Sequence, residues 1–380
     1  MPRLSSDFRK LATMAVLMFV IAVLTVPLQA QNLQPIPALA FTKPFGGANP
    51  LPQIITAVST GTNFTFSATA TTSTGGAWLT IANSGSNCCT TPNVITVTVK
   101  PDVSLAVGTY SGQIAFTSTT HGNLTVPVTL TIAATNSPYF ENEPGQLSFT
   151  LLTGGTSISP QTFEIANGGT GTMNWTASTS TADGGGWLSL SSGSGTAPSN
   201  VTVSVAKESL PGGGSTAGTF IGQIAFQTAG SSITIPISVT VGSTVLRQVN
   251  PIFFTMPFGG ANPLPQVLSL ISTAESSGSN ITFDSIAATG KGGAWLTVAN
   301  SGVGCCTTPE TITATVSAST LAAGTYIGQV TFTQYVSHAM SITVPVTLTI
   351  AATNSTFFDY APGRLSFSML TSALNVTPQS

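Results

Sequence analysis

Three tryptophans, Trp78, Trp187 and Trp295, each head a short apolar run and are the residues best suited to hold a ligand. In Trp78-Leu79-Thr80-Ile81 the leucine and isoleucine fall on one face of a strand and the tryptophan and threonine on the other. Trp187 with Ser189 and Trp295 with Thr297 keep that phase. If the leucine face is the core, the indole lies outside it and can stack on a sugar ring. The alternative is a bend at the preceding glycine-rich turn that tucks the ring under a loop or against a neighbouring domain. Phe45 and Phe258, each in a segment reading PFGGANPLPQ, are the next ligand candidates, as rims of a Gly/Pro-rich loop or as covers for the end of a domain. Trp175 has no counterpart at the other two sites and reads as core.

The four cysteines come only as the adjacent pairs Cys88-Cys89 and Cys305-Cys306. A bridge within either pair must be vicinal. Adjacent Cα atoms lie about 3.8 Å apart across a trans peptide, below the usual disulfide span of about 4.4–6.8 Å, so a vicinal bridge makes a rigid ring in the loop before Thr-Thr-Pro. Intermolecular bridges and free thiols are the other open states, and an oxidising compartment favours the bridged forms. Two adjacent thiols without a second pair do not make a tetrahedral zinc site. His121 and His338 stand alone in loops, and Asp102, Asp183, Asp284 and Asp359 are scattered singly. Glu141 and Glu143 are close, but no third ligand beside them makes a calcium loop. No acid pair recurs in the manner glycoside hydrolysis requires, and Gly193-Ser194-Gly195 is a turn, not a nucleophile elbow. No metal, cofactor or catalytic group is expected.

What must position these residues is a repeat. Gly108-Thr109-Tyr110, Gly218-Thr219-Phe220 and Gly324-Thr325-Tyr326 follow the tryptophans by 30, 31 and 29 residues, and Pro127, Pro236 and Pro345 close each unit. Recurrence at this scale in a Thr-, Val- and Gly-rich chain marks tandem β-domains. Repeat 1 covers residues 31–138, repeat 2 residues 139–242 and repeat 3 residues 243–355. A fourth begins at 356–380, where Pro362-Gly363-Arg364-Leu365-Ser366-Phe367 parallels Pro144-Gly145-Gln146-Leu147-Ser148-Phe149. Two strands cannot bury a core, so the chain is expected to be part of a longer array. Repeats 1 and 3 share PFGGANPLPQ and VPVTLTIAATNS, and repeat 2 lacks the first of these and both cysteines.

Each repeat reads as about seven strands without sustained helical period, an all-β chain of tandem Ig-like β-sandwiches. Repeat 1 places them near Ala38–Thr42, Ile54–Ser59, Thr62–Ala70, Ala77–Ala82, Val94–Val99, Tyr110–Ser118 and Leu124–Ile132. Tyr110, Gly112, Ile114 and Phe116 share the core face, as do Leu124, Val126, Val128, Leu130 and Ile132. Proline removes a ladder donor, so the Pro127 strand is expected at a sheet edge or with a bulge there. Tyr110 and Tyr326 can make a tyrosine-corner hydrogen bond, which Phe220 cannot. Tyr139-Phe140 and Phe357-Phe358 read as wedges between neighbouring domains. In an extended array repeat 2 stands between repeats 1 and 3, which argues against a bridge between their cysteines.

The succession WLTIANSG, TTPNVITVTV, LAVGTYSGQIAF and VPVTLTI in repeat 1 resembles the BACON-type Ig-like domains of secreted bacterial proteins. WLSLSSGSGTAPSNVTVSV and LAAGTYIGQVTF carry the resemblance into repeats 2 and 3. It implies extracellular β-sandwich modules, often beside carbohydrate-active or adhesive partners, with glycan or mucin binding as the family's proposed role.

Met1–Ala30 reads as a secretory signal: Arg3, Arg9 and Lys10 precede the apolar run Leu11–Val26, and Leu28-Gln29-Ala30 is a passable cleavage site. An uncleaved N-terminal anchor is the alternative, and no membrane span is expected once the signal is removed. Only 5% of residues are charged and the net charge is −2, so nucleic acid binding has no electrostatic footing. The expected role is a secreted, non-catalytic array at the bacterial cell surface, with carbohydrate (a polysaccharide or glycan) or cell-surface proteins as partners. The other readings are a passive stalk or protein–protein adhesion module, and an accessory region of an enzyme whose catalytic domain lies elsewhere.

Overall fold

The computed structural model describes residues 32–357 except Ser84, 102–104, Asn142 and 275–278. The signal segment, Asp102, Phe358, Asp359 and nearly all of the fourth-repeat segment lie outside the described residues.

Alternating Val, Thr, Ile and Phe runs separated by Gly, Asn and Pro form 24 strands among the described residues. Repeat 1 holds β1 (Leu39–Pro44), β2 (Gln53–Ala57), β3 (Thr65–Thr72), β4 (Leu79–Ile81), β5 (Gly85–Thr90), β6 (Asn93–Val99), β7 (Gly108–Thr117) and β8 (Leu124–Ala133). Repeat 2 holds β9 (Leu147–Leu152), β10 (Gln161–Ile165), β11 (Asn174–Thr181), β12 (Leu188–Leu190), β13 (Ser194–Thr196), β14 (Ser199–Val205), β15 (Gly218–Gln227) and β16 (Ser232–Gly242). Repeat 3 holds β17 (Ile252–Pro257), β18 (Gln266–Leu270), β19 (Thr282–Thr289), β20 (Leu296–Val298), β21 (Gly302–Thr307), β22 (Glu310–Val316), β23 (Gly324–Gln334) and β24 (Ser341–Ala351). Each repeat is a sandwich of a five-stranded sheet (β1-β8-β7-β3-β5 in repeat 1) and a three-stranded one (β2-β6-β4), closed over its own apolar core. The chain is therefore a tandem series of Ig-like β-sandwiches. Among the described residues no helix is long and apolar enough to cross a membrane.

Each repeat has eight strands rather than about seven. The additional one, β5 in repeat 1, carries the cysteine pair, which was expected in a loop. It pairs with β3 across a register shift between Phe66 and Ala68, and that irregularity hides its period-2 pattern.

The proline strand is not an edge strand. β8 lies between β1 and β7. Its parallel partner β1 starts opposite Val128, one residue after Pro127. The same offset holds at Pro236, with β9 starting opposite Ile237, and at Pro345, with β17 starting opposite Val346. The proline therefore closes the half of a central strand that has no ladder partner on that side, where a missing N–H costs nothing.

That open half is where the repeats meet. In repeat 2, Ala40 N–H donates to Thr234 Oγ1 (2.9 Å) and Thr42 Oγ1 donates to Ser232 O (2.9 Å), laying β1 of repeat 1 beside the free half of β16. In repeat 3, Thr343 N–H donates to Ser148 Oγ (2.8 Å), laying β9 beside the free half of β24. Repeats 1 and 3 also touch, through Val94 N–H donating to His338 O (2.7 Å) and Gln329 Nε2 donating to Pro52 O (3.2 Å). The extended array expected from the repeats is thus replaced by three sandwiches in mutual contact.

Candidate functional site

The tryptophans do not form an exposed platform. Trp78, Trp187 and Trp295 are 0%, 0% and 1% exposed and belong to the three cores. Each precedes the first residue of its short strand, β4, β12 or β20, so the strand alternation does not govern its direction. The ring crosses from the three-stranded sheet onto a glycine of the five-stranded one. A Cβ on Gly112, Gly222 or Gly328 would sit 3.2, 3.0 or 3.2 Å from the Cη2 atom of the facing indole. The indole N–H is satisfied inside the turn before it: Trp78 Nε1 donates to Thr74 O (2.8 Å), Trp187 Nε1 to Asp183 Oδ1 (3.1 Å) and Trp295 Nε1 to Lys291 O (3.1 Å). A buried Trp with its N–H paired is a packing element, and the sugar-stacking expectation for these three residues is corrected. The signal was legible: each Gly-Thr-aromatic triplet is followed two residues later by glycine, the hole that receives the ring.

The cysteine pairs are bonded, Cys88 to Cys89 and Cys305 to Cys306. The inner member of each pair is core: Cys89 is 2% and Cys306 3% exposed. Cys89 lies opposite Phe66 and Cys306 opposite Phe283. At the equivalent place repeat 2 puts Trp175 opposite Gly195, where a Cβ on the glycine would come within 2.6 Å of the indole. Trp175 Nε1 donates to Ser199 Oγ (3.0 Å). The absence of cysteine from repeat 2 therefore has a steric cause.

Phe45 and Phe258 remain exposed, at 48% and 52%. Around them the two PFGGANPLPQ loops differ: Leu51 is buried where repeat 2 packs on repeat 1, and the matching Leu264 is exposed. His121 stacks on Phe64 with ring centroids 4.0 Å apart, and Thr120 Oγ1 lies 2.7 Å from its Nδ1. His338 touches repeat 1 through its carbonyl. Phe140 is not a wedge between domains. It is in the core of repeat 2, edge-on to Phe226, while Tyr139 lies over Gly168. Tyr110 and Tyr326 do donate their hydroxyls to Ala106 O and Ala322 O (2.9 Å each), the corner hydrogen bond that Phe220 forgoes.

The residues that recur and reach beyond their own sandwich are glutamines, which sequence reasoning passed over. Gln113, Gln223 and Gln329 each lie opposite the proline of the next strand. Gln223 Nε2 donates to Ala38 O of repeat 1 (3.1 Å). Gln329 Oε1 accepts from Gly145 N–H of repeat 2 (2.9 Å) while its Nε2 reaches Pro52 O of repeat 1. Gly145 O in turn accepts from Ile54 N–H (3.0 Å). A Cβ at Gly145 would lie 1.8 Å from Pro52 O, so only glycine fits this node. Beside it Glu143 is buried. Desolvation raises its carboxyl well above the usual range and the nearby Glu164 and Glu141 add to the rise, against the Ala166 N–H it accepts. Among the described residues no cluster of His, Cys, Asp or Glu could hold a metal ion.

No family profile and no curated protein matches the chain. Solved structures that resemble it include Drosophila N-cadherin EC1-3, at 14% identity over 84% of this chain and 99% of that one, TM-score 0.22. An I-band fragment of titin resembles it at 12% identity over 86% and 100%, TM-score 0.19. An endo-fucoidan hydrolase from glycoside hydrolase family 107 does so at 13% identity over 83% of this chain, TM-score 0.21, and the chain spans 43% of that hydrolase's length. None of these likenesses assigns a role to the chain.

Proposed function

We propose that the chain is a secreted, non-catalytic array of Ig-like repeats that acts in adhesion or as a spacer at an extracellular surface, with its repeats docked into one body. One observation carries this reading: the recurrent tryptophans are taken up by packing, and the recurrent glutamines of repeats 2 and 3 by docking. The tryptophans fill cores and Gln223 and Gln329 bind neighbouring repeats, so among the described residues no recurrent polar or aromatic set is left converging on a cleft. The resemblance to BACON-type domains and the leader-like start support an extracellular place. Limited proteolysis tests the docking. The junctions around Ser137–Gly145 and Gly242–Asn250 should resist cleavage in the native chain and become susceptible in Gln329→Ala and Gln223→Ala; rapid cleavage of the unaltered chain would refute it.

A second reading is favoured by Phe45 and Phe258. They are exposed rings at matching positions, confined to repeats 1 and 3, on loops that could meet a polysaccharide or a cell-surface protein. A glycan array with the whole chain tests it: binding lost in the Phe45→Ala/Phe258→Ala double variant supports the reading, and binding that survives it removes these rings as the contact.

A further inference from the structure

Glu143 is a carboxyl in surroundings that do not suit its charge, and it stands beside the node where all three repeats meet. Its Oε1 accepts one long hydrogen bond, from Ala166 N–H (3.4 Å), and its Oε2 is buried with no partner among the described residues. The side chain lines a cavity of about 20 Å³ at the junction of repeats 1 and 2, with Phe41, Pro50 and Leu51 on one side and Pro144 and Ile233 on the other. That space holds about one water, too little to hydrate a carboxylate.

Among the described residues no cation pairs with Glu143. On β1 the one charged side chain is Lys43, whose Nζ donates to Asn49 Oδ1 (2.7 Å). β2, the segment Phe45–Pro52 before it and β16 carry no charged residue. On β10 Glu164 is a like charge, and on the same segment Glu141 is another, engaged by Lys291 of repeat 3. Two residues on, Gly145 ties the repeats together: its O accepts from Ile54 N–H of repeat 1 and its N–H donates to Gln329 Oε1 of repeat 3. Pro144 lies between, its φ fixed by the ring, so a shift of Glu143 is passed on to Gly145.

We propose that Glu143 is a proton-operated latch on the docked body: protonated, it lies in the junction and repeats 1 and 2 stay closed; ionised, it turns out to water and repeat 1 swings free. This rests on the docked reading above. An unpaired buried carboxylate costs more than any single hydrogen bond of the junction returns. Burial, with Glu164 and Glu141 nearby, raises the carboxyl well above its ordinary value of 4.5, so the latch is closed at that pH and opens as pH rises through the raised value. The bond from Thr343 N–H to Ser148 Oγ involves no titrating group, so repeats 2 and 3 remain joined after the opening.

Small-angle X-ray scattering of the whole chain, followed from pH 4.5 to about pH 9, the top of the range for buried glutamates and below tyrosine and lysine, tests this. The maximum dimension of the unaltered chain should rise reversibly, with the fluorescence of the buried Trp78, Trp187 and Trp295 unchanged. Glu143→Gln and Glu143→Ala, which both remove the titrating group, should stay compact throughout. A chain that is compact at every pH, or an opening that survives both variants, would overturn the latch and leave the docked body standing. A lengthening accompanied by a change in tryptophan fluorescence is unfolding and would overturn the latch as well. A chain already extended at pH 4.5 would instead refute the docked body itself.

Discussion

Repeats 1 and 3 on one side and repeat 2 on the other fill the same corner of the sandwich with different chemistry. In the odd repeats a phenylalanine, Phe66 or Phe283, faces the inner sulfur of a vicinal disulfide. In repeat 2 the larger Trp175 faces Gly195, whose missing side chain leaves room for the indole. The volume moves from one strand to its neighbour, as close packing requires. What stays constant is the Trp-on-Gly contact between the two sheets and the Gln-and-Pro pairing at the junction. The difference teaches that the cysteines need no redox or metal role to explain their presence: they are one of two ways to close the same core.

The largest effect should come from the element all repeats share. Trp78→Ala, Trp187→Ala and Trp295→Ala each empty a core site, and each should cost about 3–5 kcal/mol in chemical denaturation. A cost within about 0.5 kcal/mol, the usual surface value, would restore the ligand platform. Next, Gly195→Cys in repeat 2 should cost about 1–3 kcal/mol through overpacking against Trp175. Adding Trp175→Phe should recover part of that loss, a coupling that denaturation of the four variants measures. Additive losses would break the comparison.

A smaller effect concerns Glu143, which only repeat 2 brings to the junction with repeat 1. Burial raises its carboxyl above the ordinary value of 4.5, so the native chain holds this proton more tightly than the unfolded one. The resulting stability is fully present below that ordinary value and is lost as pH rises through the raised native value. Melting followed upward from pH 4.5 should therefore show a decline that Glu143→Gln abolishes; parallel profiles would count against it. The smallest effect is at the Lys291–Glu141 pair between repeats 2 and 3, which is partly exposed. Lys291→Met should change stability by less than about 1 kcal/mol, and a larger loss in denaturation would make the pair part of the junction's core.

The inward phases of β7 and β8 and the tyrosine corner were legible because they follow from period-2 alternation and turn residues. The direction of Trp78 was not, because it precedes its strand and answers to Gly112 on the opposite sheet, a contact distant in sequence. β5 escaped because a register shift breaks its alternation. Pro127 does not mark an edge strand or a bulge: a partner strand that starts one residue later makes its strand central, and that pairing is distant in sequence. The junction glutamines were invisible because a lone polar residue on a strand looks solvated until the neighbouring repeat is in place. Of the candidate ligand residues, Phe45 and Phe258 keep the exposure a ligand contact needs.

The central claim is that three sandwiches form one docked body through Gln223, Gln329 and Gly145. Small-angle X-ray scattering of the chain tests it most directly. Docking predicts a maximum dimension well short of three domains end to end, which lengthens in a Gln329→Ala/Gly145→Val variant. A profile of three domains in line for the unaltered chain would contradict it.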